Sequence, residues 1–153
     1  MGVTTDDFPD FSLERLLTTV FQPKGGEQVA LLIDLENPTD VKDLAFMKDP
    51  NCSIQQNAIN YFHKPLNSEI LAKMGLKGGD LFAYKRTGGS NLDLPDEAYT
   101  LSGTKLSLEE SVYPNFDIIL CISSDSATAP LTALSRKFGF RGATLHGLNE
   151  TIL

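Results

Sequence analysis

Two apolar runs, Gln28 to Ile33 (QVALLI) and Phe116 to Ser123 (FDIILCIS), carry almost no alternating polar residues. Continuous apolarity over the length of a strand is expected where helices cover both faces of a sheet, so both runs predict central parallel strands. Asp80 to Arg86 (DLFAYKR) predicts a further strand, and Ala143 to His146 another. Elsewhere the period turns helical. Leu13, Leu16, Leu17, Val20 and Phe21 line one face behind caps at Asp10 or Ser12, predicting an amphipathic helix over 12–22 that Pro23 and Gly25-Gly26 end.

Between the first two strands the pattern predicts a broken crossover. Asn37-Pro38 forces a turn, after which Thr39 or Asp40 caps a helix running to about Lys48. A capping box at Ser53-Ile54-Gln55-Gln56 opens a second helix, presenting Ile54, Ala58, Ile59 and Phe62 before Pro65 stops it. A third runs from Ser68 to Met74 and closes on Gly75. Asn91 to Asn115 reads as irregular, with a brief helix at Ser107-Leu108-Glu109-Glu110. Thr128 or Ser126 caps a last helix, with Pro130 in its first turn, Leu131 and Leu134 pointing inward and Gly139 as left-handed C-cap.

This order predicts an α/β fold, a Rossmann-like three-layer sandwich with a mostly parallel sheet of about four strands and right-handed crossovers. At 153 residues the chain suits a single domain over 1–153. Its end, RGATLHGLNETIL, reads as a finished strand followed by a helix that opens at Asn149. One helical turn is unstable alone, so this end is either a frayed tail or the front piece of something longer.

Composition narrows the function. With 41% hydrophobic and 22% charged residues the chain is ordinary for a globular protein. A net charge of -7 leaves little basic surface for a phosphate backbone, so nucleic acid is not expected as a partner. No apolar run approaches the roughly 20 residues needed to span a bilayer. The N-terminus, MGVTTDDFPD, lacks a secretion signal, and Asp6 breaks the myristoylation pattern, so the expected location is cytoplasmic, with no membrane partner. Cys52 and Cys121 have no metal-type spacing; Cys121 reads as a core residue.

In open α/β sheets ligands bind outside the carboxyl ends of the strands. The residues there are Asp34 and Glu36, Thr87 to Asn91, Ser123 to Thr128, and His146. Asp34-Leu35-Glu36 replaces the glycine-rich turn that a dinucleotide needs, which disfavours a nicotinamide or flavin. Asp34, Glu36, Asp125 and His146 have suitable donor atoms for a metal, but carboxylates after strands usually cap the next helix. Ser123, Ser124, Ser126 and Thr128 are the residue types that hold an anion at a helix N-terminus, although Asp125 among them opposes a phosphate. Ser124 lacks the glycines of a nucleophile elbow. TGGSN has the form of either a turn or a phosphate nest. The candidate ligand-binding residues are therefore Asp34, Glu36, Ser124, Asp125 and His146, with no catalytic set and no metal set.

VFQPKGGEQVALLIDLENP, TGGSNLDLP and SATAPLTALSRKFGFRGATLHGLN together resemble the N-terminal region of the leucyl-aminopeptidase-like metallopeptidases, the aminopeptidase T group. The resemblance implies a non-catalytic α/β domain of a metal-dependent hydrolase, inactive alone. Its partner would be a missing C-terminal catalytic domain holding two divalent metal ions, and homo-oligomer contacts are a further expectation. No ligand motif of that domain falls within these residues. Such a domain should show an apolar docking face of several hundred Å². The alternative is a stand-alone domain that binds a neutral or cationic metabolite at the strand ends, which requires a concave pocket lined by the acidic residues.

Overall fold

The computed structural model describes residues 25–146 and the backbone of 149–152. The helix expected over 12–22 lies outside them. Among the described residues seven strands form one sheet: β1 (Gln28–Leu35), β2 (Lys77–Lys85), β3 (Glu97–Thr100), β4 (Lys105–Ser107), β5 (Ile118–Ser123), β6 (Arg141–His146) and β7 (Asn149–Ile152), in the order β4-β3-β2-β1-β5-β6-β7. The fold is mixed α/β. β2, β1, β5 and β6 run parallel, and β3, β4 and β7 add antiparallel flanks that the expectation of about four strands omitted. Among the described residues no helix is long and apolar enough to cross a membrane.

The continuous apolar runs are buried on both faces, as their pattern requires. Val29, Leu31, Ile33 and Leu35 of β1 join one core cluster with Ile118, Leu120 and Ile122 of β5, while Ala30, Leu32, Ile119 and Cys121 join the other. The first cluster is covered by the β1–β2 crossover. It starts with a kinked 3-10 segment, Pro38–Lys48, in which Asp43 and Leu44 take positive φ, so the regular helix expected there does not form.

The rest of the crossover is a single helical run. α1 (Ser53–Ala58) passes through π turns at Ile59–His63 and Leu66–Ile70 into α2 (Leu71–Met74), and Pro65 sits in it at helical φ/ψ. Pro65 therefore does not stop the helix. The flanking π turns widen the coil where the proline ring would meet the carbonyl four residues earlier. Gly75, at φ 71°, ends the run as expected.

The second face carries a π turn, Leu108–Val112, and α3 (Thr128–Phe138), which crosses from β5 to β6 and ends at Gly139 with φ 84°. Pro130 and Leu131 are buried. The order of strand addition reverses between the parallel neighbours β1 and β5: one crossover leaves β1 toward β2, the other leaves β5 toward β6. Crossovers of one hand then lie on opposite faces, and a crevice opens between the two strand ends. At the far edge, Asn149–Ile152 pairs antiparallel with β6 instead of opening a helix, with His146 opposite Asn149. Asn149, expected as an N-cap, is instead the first residue of a strand.

Candidate functional site

Asp34 closes β1 at the crevice and has no exposed surface. Its Oδ1 accepts from Gln55 Nε2 at 2.6 Å and from the Ser124 amide at 2.9 Å. Its Oδ2 accepts from the Ser124 amide at 3.1 Å and the Asp125 amide at 3.3 Å. Burial pushes the Asp34 carboxyl above its ordinary value, and the amide and Gln55 donors pull it back part of the way. Gln55 Nε2 also donates to Ser124 Oγ at 2.8 Å, tying α1 to the β5–α3 turn.

These bonds decide what charge the crevice accepts. In an anion site the amides after a strand stay free to receive a phosphate. Here Asp34 already accepts the Ser124 and Asp125 amides, and a negative ligand would meet its carboxylate instead.

Asp125 faces elsewhere. Its Oδ2 accepts from Arg86 Nε at 2.9 Å and from the Gly88 amide at 3.0 Å, and Arg86 Nη2 reaches Oδ1 at 3.3 Å. The Arg86 guanidinium holds the Asp125 carboxyl below its ordinary value, with the Gly88 amide helping. Arg86 Nη1 also reaches Glu36 Oε1 at 3.5 Å, an exposed pair of small energetic weight.

The cleft beside these residues holds about 150 Å³. Asp34, Glu36, Asp40 and Asp49 bring carboxylates to its lining, against the one guanidinium of Arg86, and Gln55 forms part of its wall. Of the residues expected to bind, Asp34, Glu36 and Ser124 line this cleft; Asp125 does not, being turned toward Arg86 and Gly88. The backbone of His146 pairs with Ser123 at the end of β6, and its side chain lies outside the described residues. Among the described residues no group of histidine, cysteine and acidic side chains is arranged to hold a metal ion.

Gln55, Asp40, Asp49 and Arg86 were not among the residues expected at the site. Gln55 belongs to the predicted capping box, but Cys52 is the residue before the helix and makes no side-chain cap. Gln56 instead donates to the carbonyls of Met47 and Asp49. Its neighbour Gln55 is thereby left to point at Asp34. The available signal was a glutamine on the apolar face itself, since Gln55 precedes Ala58, Ile59 and Phe62 by three, four and seven residues.

The TGGSN loop is a brace. The Asn91 amide donates to Ser126 O at 2.8 Å, and Asn91 Oδ1 accepts from the Ala129 amide at 3.0 Å. The Ala129 amide of α3 is thus capped by Asn91, from a loop distant in sequence, while Ser126 Oγ reaches the Thr128 amide only at 3.5 Å. With the Gly88 amide given to Asp125, the loop has no phosphate nest at that amide.

Comparison of the chain with protein-family models, with curated proteins and with solved structures finds no match.

Proposed function

We propose that this domain binds a small cationic or neutral polar metabolite in the acidic cleft outside β1 and β5. The observation that carries the reading is Asp34. Its buried carboxylate occupies the amides where an anion would dock, while Glu36, Asp40 and Asp49 give the opening a negative lining. A volume of about 150 Å³ suits the amine end of a metabolite better than a whole cofactor. The order of the parallel strands, with helical cover on both faces, also supports reading the sheet centre as a Rossmann-like three-layer arrangement.

The other reading is a non-catalytic domain of a hydrolase resembling leucyl aminopeptidases, with metal ions held by a catalytic domain outside this chain. That reading calls for a broad apolar docking face. Among the described residues Leu92 is the exposed large hydrophobic side chain, so the cleft reading leads.

Calorimetric titration with butylamine and with butyrate, matched in size and opposite in charge, tests the proposal. Butylamine should bind, butyrate should not, and Glu36→Gln with Asp49→Asn should weaken the amine several-fold. Equal binding of the two compounds, or an amine affinity untouched by both substitutions, contradicts it.

A further inference from the structure

A second cavity, of about 340 Å³, lies on the sheet face that carries α3, between the segment 93–96, the 108–113 turn and α3. Its size falls within the range of about 300–1,000 Å³ typical of small-molecule sites. Leu94 and Leu134 give it apolar walls, and Asp93, Asp96 and Glu109 bring carboxylates to it. One wall is fixed in place. The Leu108 amide donates to Asp96 O at 2.7 Å, and the Asp96 carboxylate accepts from Ser107 Oγ at 2.6 Å and the Glu109 amide at 2.9 Å.

Tyr113 lines the same cavity and is 2% exposed. Its ring is held by Phe138 and Phe140, with centroids 5.4 and 5.6 Å away. Its hydroxyl is buried without a hydrogen-bond partner. Leaving a buried hydroxyl unmatched costs about 1–3 kcal/mol, so a hydroxyl of this kind beside a cavity favours a ligand that can pair with it. The carboxylates select the charge of that partner, because an anion would be repelled and a protonated amine attracted.

We propose that this cavity binds a primary amine carrying an apolar body. The body lies against Leu94 and Leu134, and the ammonium group donates to the Tyr113 hydroxyl and to the carboxylates around it. Lys137, which reaches Glu109 at 3.5 Å from an exposed position, is the resident cation that the ligand would displace or share. This site is independent of the strand-end cleft and shares none of its lining residues.

The test is titration of the full chain with 2-phenylethylamine and with its neutral isostere 2-phenylethanol, read by calorimetry. The amine should bind about tenfold more tightly, the difference expected of charge-assisted hydrogen bonds. Tyr113→Phe keeps the ring stacking, removes the unmatched hydroxyl and should weaken the amine about fivefold or more while leaving the alcohol less affected. Glu109→Gln, at an exposed position that no core packing depends on, should weaken the amine alone. Equal affinity for amine and alcohol, or indifference of amine binding to both substitutions, overturns the proposal. So does binding that is lost in Glu36→Gln and retained in Tyr113→Phe, which would place the amine in the strand-end cleft.

Discussion

Asp34 is a carboxylate with no exposed surface, surrounded by donors from α1 and from the β5–α3 turn. Asparagine cannot replace it, because whichever way the amide is turned, its NH₂ faces one of these donors. Asp34→Asn should cost about 1–3 kcal/mol in urea denaturation. The pH dependence has a definite sign. Burial raises the folded-state pKa above the ordinary 3.8, so the folded chain holds this proton more tightly than the unfolded one. The contribution of Asp34 is therefore full below about 3.8 and declines as pH rises through the raised value. The stability difference between the wild type and Asp34→Asn should accordingly be largest in acid and shrink toward neutrality; a difference that grows with pH would contradict the burial argument. Asn91 works at a longer range, capping α3 through the Ala129 amide from a loop at φ 59°. Asn91→Ala should cost about 1 kcal/mol and speed hydrogen exchange in the first turn of α3.

At the scale of elements, β1 and β5 were legible because their burial on both faces is written as unbroken apolar sequence. The C-caps at Gly75 and Gly139 were legible for an equally local reason, since a left-handed residue is cheapest as glycine. What failed depends on strand pairing and packing that the local residue pattern does not record. β3 and β4 are short and half-exposed, so nothing in Glu97–Thr100 or Lys105–Ser107 separates them from a loop until they pair. Asn149–Ile152 has the residues of a helix start, and pairing with β6 overrides that preference. The site divides in the same way: Asp34, Glu36 and Ser124 follow from strand ends, whereas Gln55 and Arg86 arrive through packing. Gly78 shows how closely these elements are fitted. It lies in β2 at φ 87°, beside the register shift in β1, where an added Cβ would sit 2.5 Å from Val29 O. Gly78→Ala should destabilise by more than about 1 kcal/mol and lower the midpoint of thermal unfolding. A neutral result would mean that β1 and β2 can separate there without loss.

For the molecule as a whole, the reversal of strand order between β1 and β5 creates the crevice, and an acidic chain of net charge -7 lines it with carboxylates. Attraction of a cation to such a lining is electrostatic and should weaken with added salt, most strongly for the exposed Glu36, Asp40 and Asp49. Asp34, enclosed by its donors, should be less sensitive. The most direct measurement is the set of backbone amide chemical shifts of the chain titrated with butylamine and, separately, with butyrate. Butylamine should move the amides of Glu36, Gln55, Ser124 and Asp125, in a salt-dependent way, while butyrate should leave them in place. Shifts at those amides with butyrate, or none with butylamine at low salt, would contradict a cation-selective cleft at the ends of β1 and β5.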